Sequence, residues 1–105
     1  MQNELVFDES DEAEQAFWVF HRKNPHVYRL FDRFTSEAIR AGRSHFGARM
    51  VWERMRWYTQ VETEGDPYKL NDHLTPYYAR LWMRNHPSHE GLFELRGKKA
   101  KLTDG

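Results

Sequence analysis

The sequence predicts a mainly α domain of about four helices, closed by a short C-terminal β element in a winged-helix-like arrangement. Three observations lead there. Apolar residues recur at helical spacing through four stretches, Pro or Gly marks the joints between them, and the clearest period-two run lies near the C-terminal end. With 105 residues the chain has the size of one domain. The expected layout is a flexible acidic segment over 1–10, a single helical domain over 11–97 and a disordered basic tail over 98–105.

The first helix is expected from Asp8 to Lys23. Asp8 and Ser10 can cap it, acids crowd its first turn, and Ala13, Ala16, Phe17 and Phe20 fall at helical spacing. Asn24-Pro25 reads as a new cap followed by Pro at the first helical position. Val27, Leu30, Phe31, Phe34 and Ala38 continue as one stripe to Gly42, which suits a left-handed C-terminal position. After a short connection, Ala48 to Gln60 places Val51, Met55 and Tyr58 on one face with Trp52 and Trp57 beside it. Residues 61–74, with Gly65-Asp66-Pro67, read as a loop or short ribbon. Thr75-Pro76 opens the fourth helix, in which Tyr77, Tyr78, Leu81 and Trp82 cluster before Asn85-His86-Pro87 stops it. The run Leu92–Arg96 alternates like a strand. The expected core is Phe17, Phe20, Phe31, Phe34, Val51, Met55, Tyr58, Leu81 and Trp82. Four Trp, five Tyr and seven Phe supply its area in spite of a mean hydropathy of −0.94.

Formal net charge is zero, but the charges are sorted. Residues 1–14 hold six acids and no base, and residues 15–60 hold nine bases against three acids. Residues 61–79 return to acid, four against one, and residues 80–105 are basic, six against three. Arg outnumbers Lys eleven to five, and Arg favours planar and bidentate contacts. There is no cysteine, which leaves a reducing compartment as the default. The acidic N-terminus carries neither a signal peptide nor an apolar span, so a cytoplasmic location without membrane attachment is expected.

The constellation with the most chemistry is a pair of basic aromatic helices. Arg49, Arg54 and Arg56 lie on the third helix, and Tyr77, Tyr78, Arg80 and Arg84 on the fourth; these residue types contact phosphates and base edges when a helix enters a groove. They make DNA the first candidate partner. The 15-residue step from Gln60 to Thr75 is longer than a helix-turn-helix connection and acidic. The bland alternative has the aromatics in the core and the arginines paired with Glu53, Glu62 or Asp72. A protein-interaction module that blocks a host protein, as a DNA mimic or otherwise, is the second candidate. Trp57 and Tyr77 discriminate: exposed together beside arginines they favour a protein partner, and buried they leave a basic face for nucleic acid. A homodimer would suit a symmetric site.

Catalysis and metal binding are poorly supported. His86-Pro-Ser-His89-Glu90 gathers two imidazoles and a carboxylate, but Pro interrupts the helix that would align them. Asp72-His73, near Tyr68 and Lys69, has no supporting motif. The expectation is therefore no enzyme and no cofactor.

Trp52-Glu-Arg-Met-Arg-Trp57, Lys69-Leu-Asn71, Tyr77-Tyr-Ala-Arg-Leu81 and Phe93-Glu-Leu-Arg96 together resemble a group of small proteins encoded in bacteriophage and prophage genomes. The resemblance spans about residues 17–97. It implies a phage or bacterial setting, an intracellular location and a compact fold, and it brings no activity with it.

Overall fold

A computed structural model describes residues 9–63 and 70–94. The fold is mainly helical, with four helices and a small two-stranded parallel sheet. Asp8, the Gly65-Asp66-Pro67 turn, Tyr68, Lys69, Leu95, Arg96 and the 98–105 tail lie outside the described residues.

Helix α1 (Glu9–Lys23) and helix α2 (Pro25–Arg40) are joined by Asn24 alone. Asn24 does not cap α2 as the sequence suggests. Its Nδ2 donates back to the Phe20 carbonyl at 3.0 Å, so it closes the end of α1, and Pro25 starts α2 with no N–H to satisfy. The buried face of α1 is also rotated by one residue from the expected one. Phe17 and Trp18 are buried with Glu14, while Ala13 and Ala16 are exposed and Phe20 is half-buried. The cause is Glu14, whose carboxylate accepts a 2.9 Å hydrogen bond from Trp18 Nε1; paired in this way, a carboxylate and an indole can both leave water.

Helix α2 buries Val27, Phe31 and Phe34 as its spacing predicts. It ends at Gly42, whose φ of +96° is the left-handed conformation. There the Gly42 and Arg43 N–H groups return to the Ile39 and Ala38 carbonyls at 2.9 and 3.1 Å.

Strand β1 (Phe46–Gly47), hidden in what reads as a plain connection, leads into helix α3 (Ala48–Trp57) and a π-helical turn (Tyr58–Glu62). Strand β2 (Phe93–Glu94) lies parallel to β1 with Phe46 opposite Phe93. The two rings meet edge to face at 5.4 Å. Two-residue strands give little periodicity to detect, and the pairing is set by these aromatics over the core.

A 3-10 turn (Asp72–Leu74) runs straight into helix α4 (Thr75–Asn85). Asn71, not Thr75, caps this unit: its Oδ1 accepts from the His73 N–H at 2.9 Å, and Thr75 already has helical angles. A second 3-10 turn (Pro87–His89) precedes β2.

The core is largely aromatic. Tyr78, fully buried, contacts the rings of Phe17, His21, Tyr28, Phe31 and Trp52. Phe31 meets Phe93 at 5.4 Å, and Phe93 meets Trp82 at 5.8 Å. Tyr58, expected in this core, is half-buried at its edge.

His21 sits among Phe17, Trp18, Tyr28 and Tyr78 at centroid distances of 5.7 to 5.9 Å. Burial, and then the charge of Arg22, hold its pKa below the ordinary histidine value. The unfolded chain therefore takes up this proton more readily than the folded one. Stability from neutral His21 is complete above the unfolded pKa of about 6.5 and is lost as pH falls from there toward the lower folded pKa. Thermal denaturation should show a falling midpoint between about pH 7.5 and about pH 5.5, and His21→Phe should flatten the fall. An equal slope in both proteins would contradict this role.

Candidate nucleic-acid interface

The arginines of α3 are engaged within the protein. Arg49 Nε lies 3.8 Å from Glu53, and Arg56 Nη1 donates to Glu53 at 2.7 Å. Arg56 Nη2 also donates to Asp72 Oδ1 at 2.6 Å and to the Leu70 carbonyl at 2.8 Å. The Arg56 hydrogen bond holds the Asp72 carboxyl below the usual carboxylate range. Arg54 lies over the Phe34 ring at 4.3 Å, with Glu62 at 3.1 Å and Glu37 at 3.6 Å. This is the arrangement expected if the arginines serve the outer face of a helix, and it neutralises the charge that phosphate would need.

Arg56 joins α3 to the segment entering α4. Arg56→Gln is expected to cost about 1–2 kcal/mol, since hydrogen bonds to charged groups contribute about 1.5–3 kcal/mol and this group is partly solvated. A drop of several degrees in the melting midpoint would show it, and an unchanged midpoint would remove Arg56 from the account.

The fourth helix corrects the expected site further. Tyr77 and Tyr78 are 5% and 0% exposed, so neither can reach a groove. Tyr77 stacks on Phe17 at 5.3 Å; its position one turn before Leu81 puts it on the core face of α4. Arg80 is half-buried, its Nε hidden without a hydrogen-bond partner among the described residues, and burial lowers its pKa. Arg84 is exposed and lies 5.6 Å from the Trp18 ring. The discriminating pair splits: Trp57 is 58% exposed while Tyr77 is buried.

A different basic surface emerges on α2. Arg29, Arg33 and Arg40 are exposed at positions i, i+4 and i+11 of its solvent face, with His26 one turn before Arg29. Arg22 and Lys23 precede the helix and Arg43 follows it, all exposed. None of these six cations forms an ion pair with an acid among the described residues. Arg33 is held over the rings of Phe34 and Tyr58 at 5.0 and 4.9 Å, which fixes its guanidinium at the surface. The signal was present in the sequence as a polar stripe opposite Val27, Phe31 and Phe34.

The histidine clusters do not assemble. His86 stacks on Trp82 at 3.9 Å, its Nδ1 donates to the Trp82 carbonyl at 2.7 Å, and its Nε2 lies 3.7 Å from Asp32. Trp82 Nε1 donates to the same carboxylate at 2.8 Å. His89 Nδ1 meets Ser88 Oγ at 3.3 Å instead. Asp72 accepts a hydrogen bond from Arg56 at 2.6 Å. Among the described residues no group of three or more His, Cys, Asp or Glu is placed to hold a metal ion.

Comparison of the chain with family models, curated proteins and solved structures returned no match. The chemistry of the surface itself is therefore the guide to what it binds.

Proposed function

We propose that the domain binds nucleic acid, duplex DNA first, through the solvent face of α2, as a small regulator of phage type acting in the bacterial cytoplasm. One observation carries this reading: the six cations along and beside α2 have no ion-pair partners among the described residues, whereas the arginines of α3 are paired. A 16-residue helix is about 24 Å long, enough to follow several phosphates. Arginine is suited to that contact by its planar, multiply donating head. No described helix is long and apolar enough to cross a membrane, which agrees with a freely diffusing protein. The winged-helix-like arrangement is not required, because the contacting helix precedes the strands.

Binding to random-sequence duplex should be micromolar at low salt. If four or five phosphates are neutralised, its logarithm should fall against the logarithm of salt with a slope of roughly −4. Titration at two salt concentrations measures that slope, and no binding at low salt would end the proposal. The second reading, a module that blocks a host protein, draws support from the exposed Met50, Trp57 and Val61 on the other side of α3 from the core.

A further inference from the structure

Three described arginines are half-buried, and two of them are matched by acids: Arg54 by Glu37 and Glu62, and Arg56 by Glu53 and Asp72. The third, Arg80 in the middle of α4, is not. Its Nε is hidden with no hydrogen-bond partner, and it forms no ion pair among the described residues. Burial lowers its pKa, and the influence opposing that shift is Tyr77, whose phenol is uncharged at neutral pH, rather than a carboxylate. A guanidinium cannot shed its proton to relieve burial, so the fold holds a partly desolvated charge without its counter-charge.

Arg80 borders an open cleft of about 370 Å³ between α4 and the 3-10 turn Pro87–His89. Met83 and Pro87 give the cleft apolar walls, and the exposed Arg84 and Glu90 complete it. That volume lies in the range of small-molecule sites.

We infer that this cleft binds a small apolar carboxylic acid, its carboxylate held by Arg80 and its hydrocarbon laid against Met83 and Pro87. The contact is end-on, through the two Nη groups, since Nε is hidden. In that geometry the planar fork donates to both carboxylate oxygens. Two guanidinium groups and one carboxylate line the cleft, a formal sum of +1, which matches a monoanion. A phosphate dianion would meet the Glu90 carboxylate unfavourably. The ligand supplies the counter-charge that Arg54 and Arg56 find within the protein and Arg80 does not.

NMR titration of the full chain with benzoate tests the inference, and with no nucleic acid present the result is independent of the α2 reading. Benzoate should bind with a dissociation constant of about 1 mM, as suits so small a ligand, and at matched ionic strength should shift the Arg80 Nε–H and Met83 amide signals. Benzamide, its neutral isostere, should leave them in place. Arg80→Met should weaken benzoate binding by about tenfold or more. The same variant should raise the melting midpoint of the ligand-free protein, because it keeps the packed stem and removes the unmatched charge. Glu90→Gln should strengthen benzoate binding about threefold by removing the one repelling charge. No saturable shift with benzoate would overturn the inference, and equal shifts with benzamide would overturn the role of the charge. Tighter binding of inorganic phosphate than of benzoate would assign the cleft to phosphate instead. A lower midpoint for Arg80→Met would show that Arg80 is matched within the fold and remove the ground for the site.

Discussion

Phe31→Asp is expected to leave the domain unfolded at room temperature. Phe31 is fully buried and links α2 to Trp52 of α3, Tyr78 of α4 and Phe93 of β2. Truncating such a ring costs about 3–5 kcal/mol by itself. An aspartate then has to be buried without a partner or protonated, which adds several kcal/mol more. The sum matches or exceeds the whole stability of an ordinary domain, about 5–15 kcal/mol. Val51→Asp, at a site 2% exposed, should act in the same way. Loss of the near-ultraviolet dichroism that packed Trp and Tyr rings produce would show it. A cooperative melt within a few degrees of the wild-type protein would place Phe31 outside the core.

The double charge reversal Arg29→Glu/Arg40→Glu is expected to abolish duplex binding at physiological salt while leaving the fold intact. Both residues are exposed and neither has an ion-pair partner among the described residues, so the change should move stability by no more than about 0.5 kcal/mol. For a polyanion it replaces two attractive contacts by two repulsive ones. Each phosphate contact contributes about one unit of salt slope, so removing two should flatten the slope by about two and weaken binding by at least tenfold. Arg84→Gln, on the helix that the sequence nominated, should have a much smaller effect.

Much of the fold was legible because its signals are local. Pro25, Gly42 and Pro76 mark joints that the structure keeps, and the apolar stripe of α2 is buried as its spacing predicts. What escaped depended on pairing across space. Glu14 reads as a solvated acid until Trp18 is set beside it, and Asn24 reads as a cap for the helix that follows until its side chain is seen turned back to Phe20. Phe46 gives no strand signal without Phe93.

The exposure and pairing of the candidate residues escaped for a related reason. Residue type brought Tyr77, Tyr78 and the arginines of α3 together, but composition cannot show that the tyrosines face inward or that Glu53, Glu62 and Asp72 lie beside the cations. Arg29, Arg33 and Arg40 were visible at helical spacing all along. Only the packing of α2, which turns them to solvent with no ion pair to an acid among the described residues, distinguishes them from the paired set.

The most direct test of the central claim is fluorescence anisotropy of a labelled random-sequence duplex titrated with wild-type protein and with Arg29→Glu/Arg40→Glu, at about 50 mM and about 200 mM salt. The account predicts salt-sensitive micromolar binding by the wild-type protein and its loss in the variant. Equal binding by the two proteins, or none by the wild-type protein at the lower salt, would contradict it.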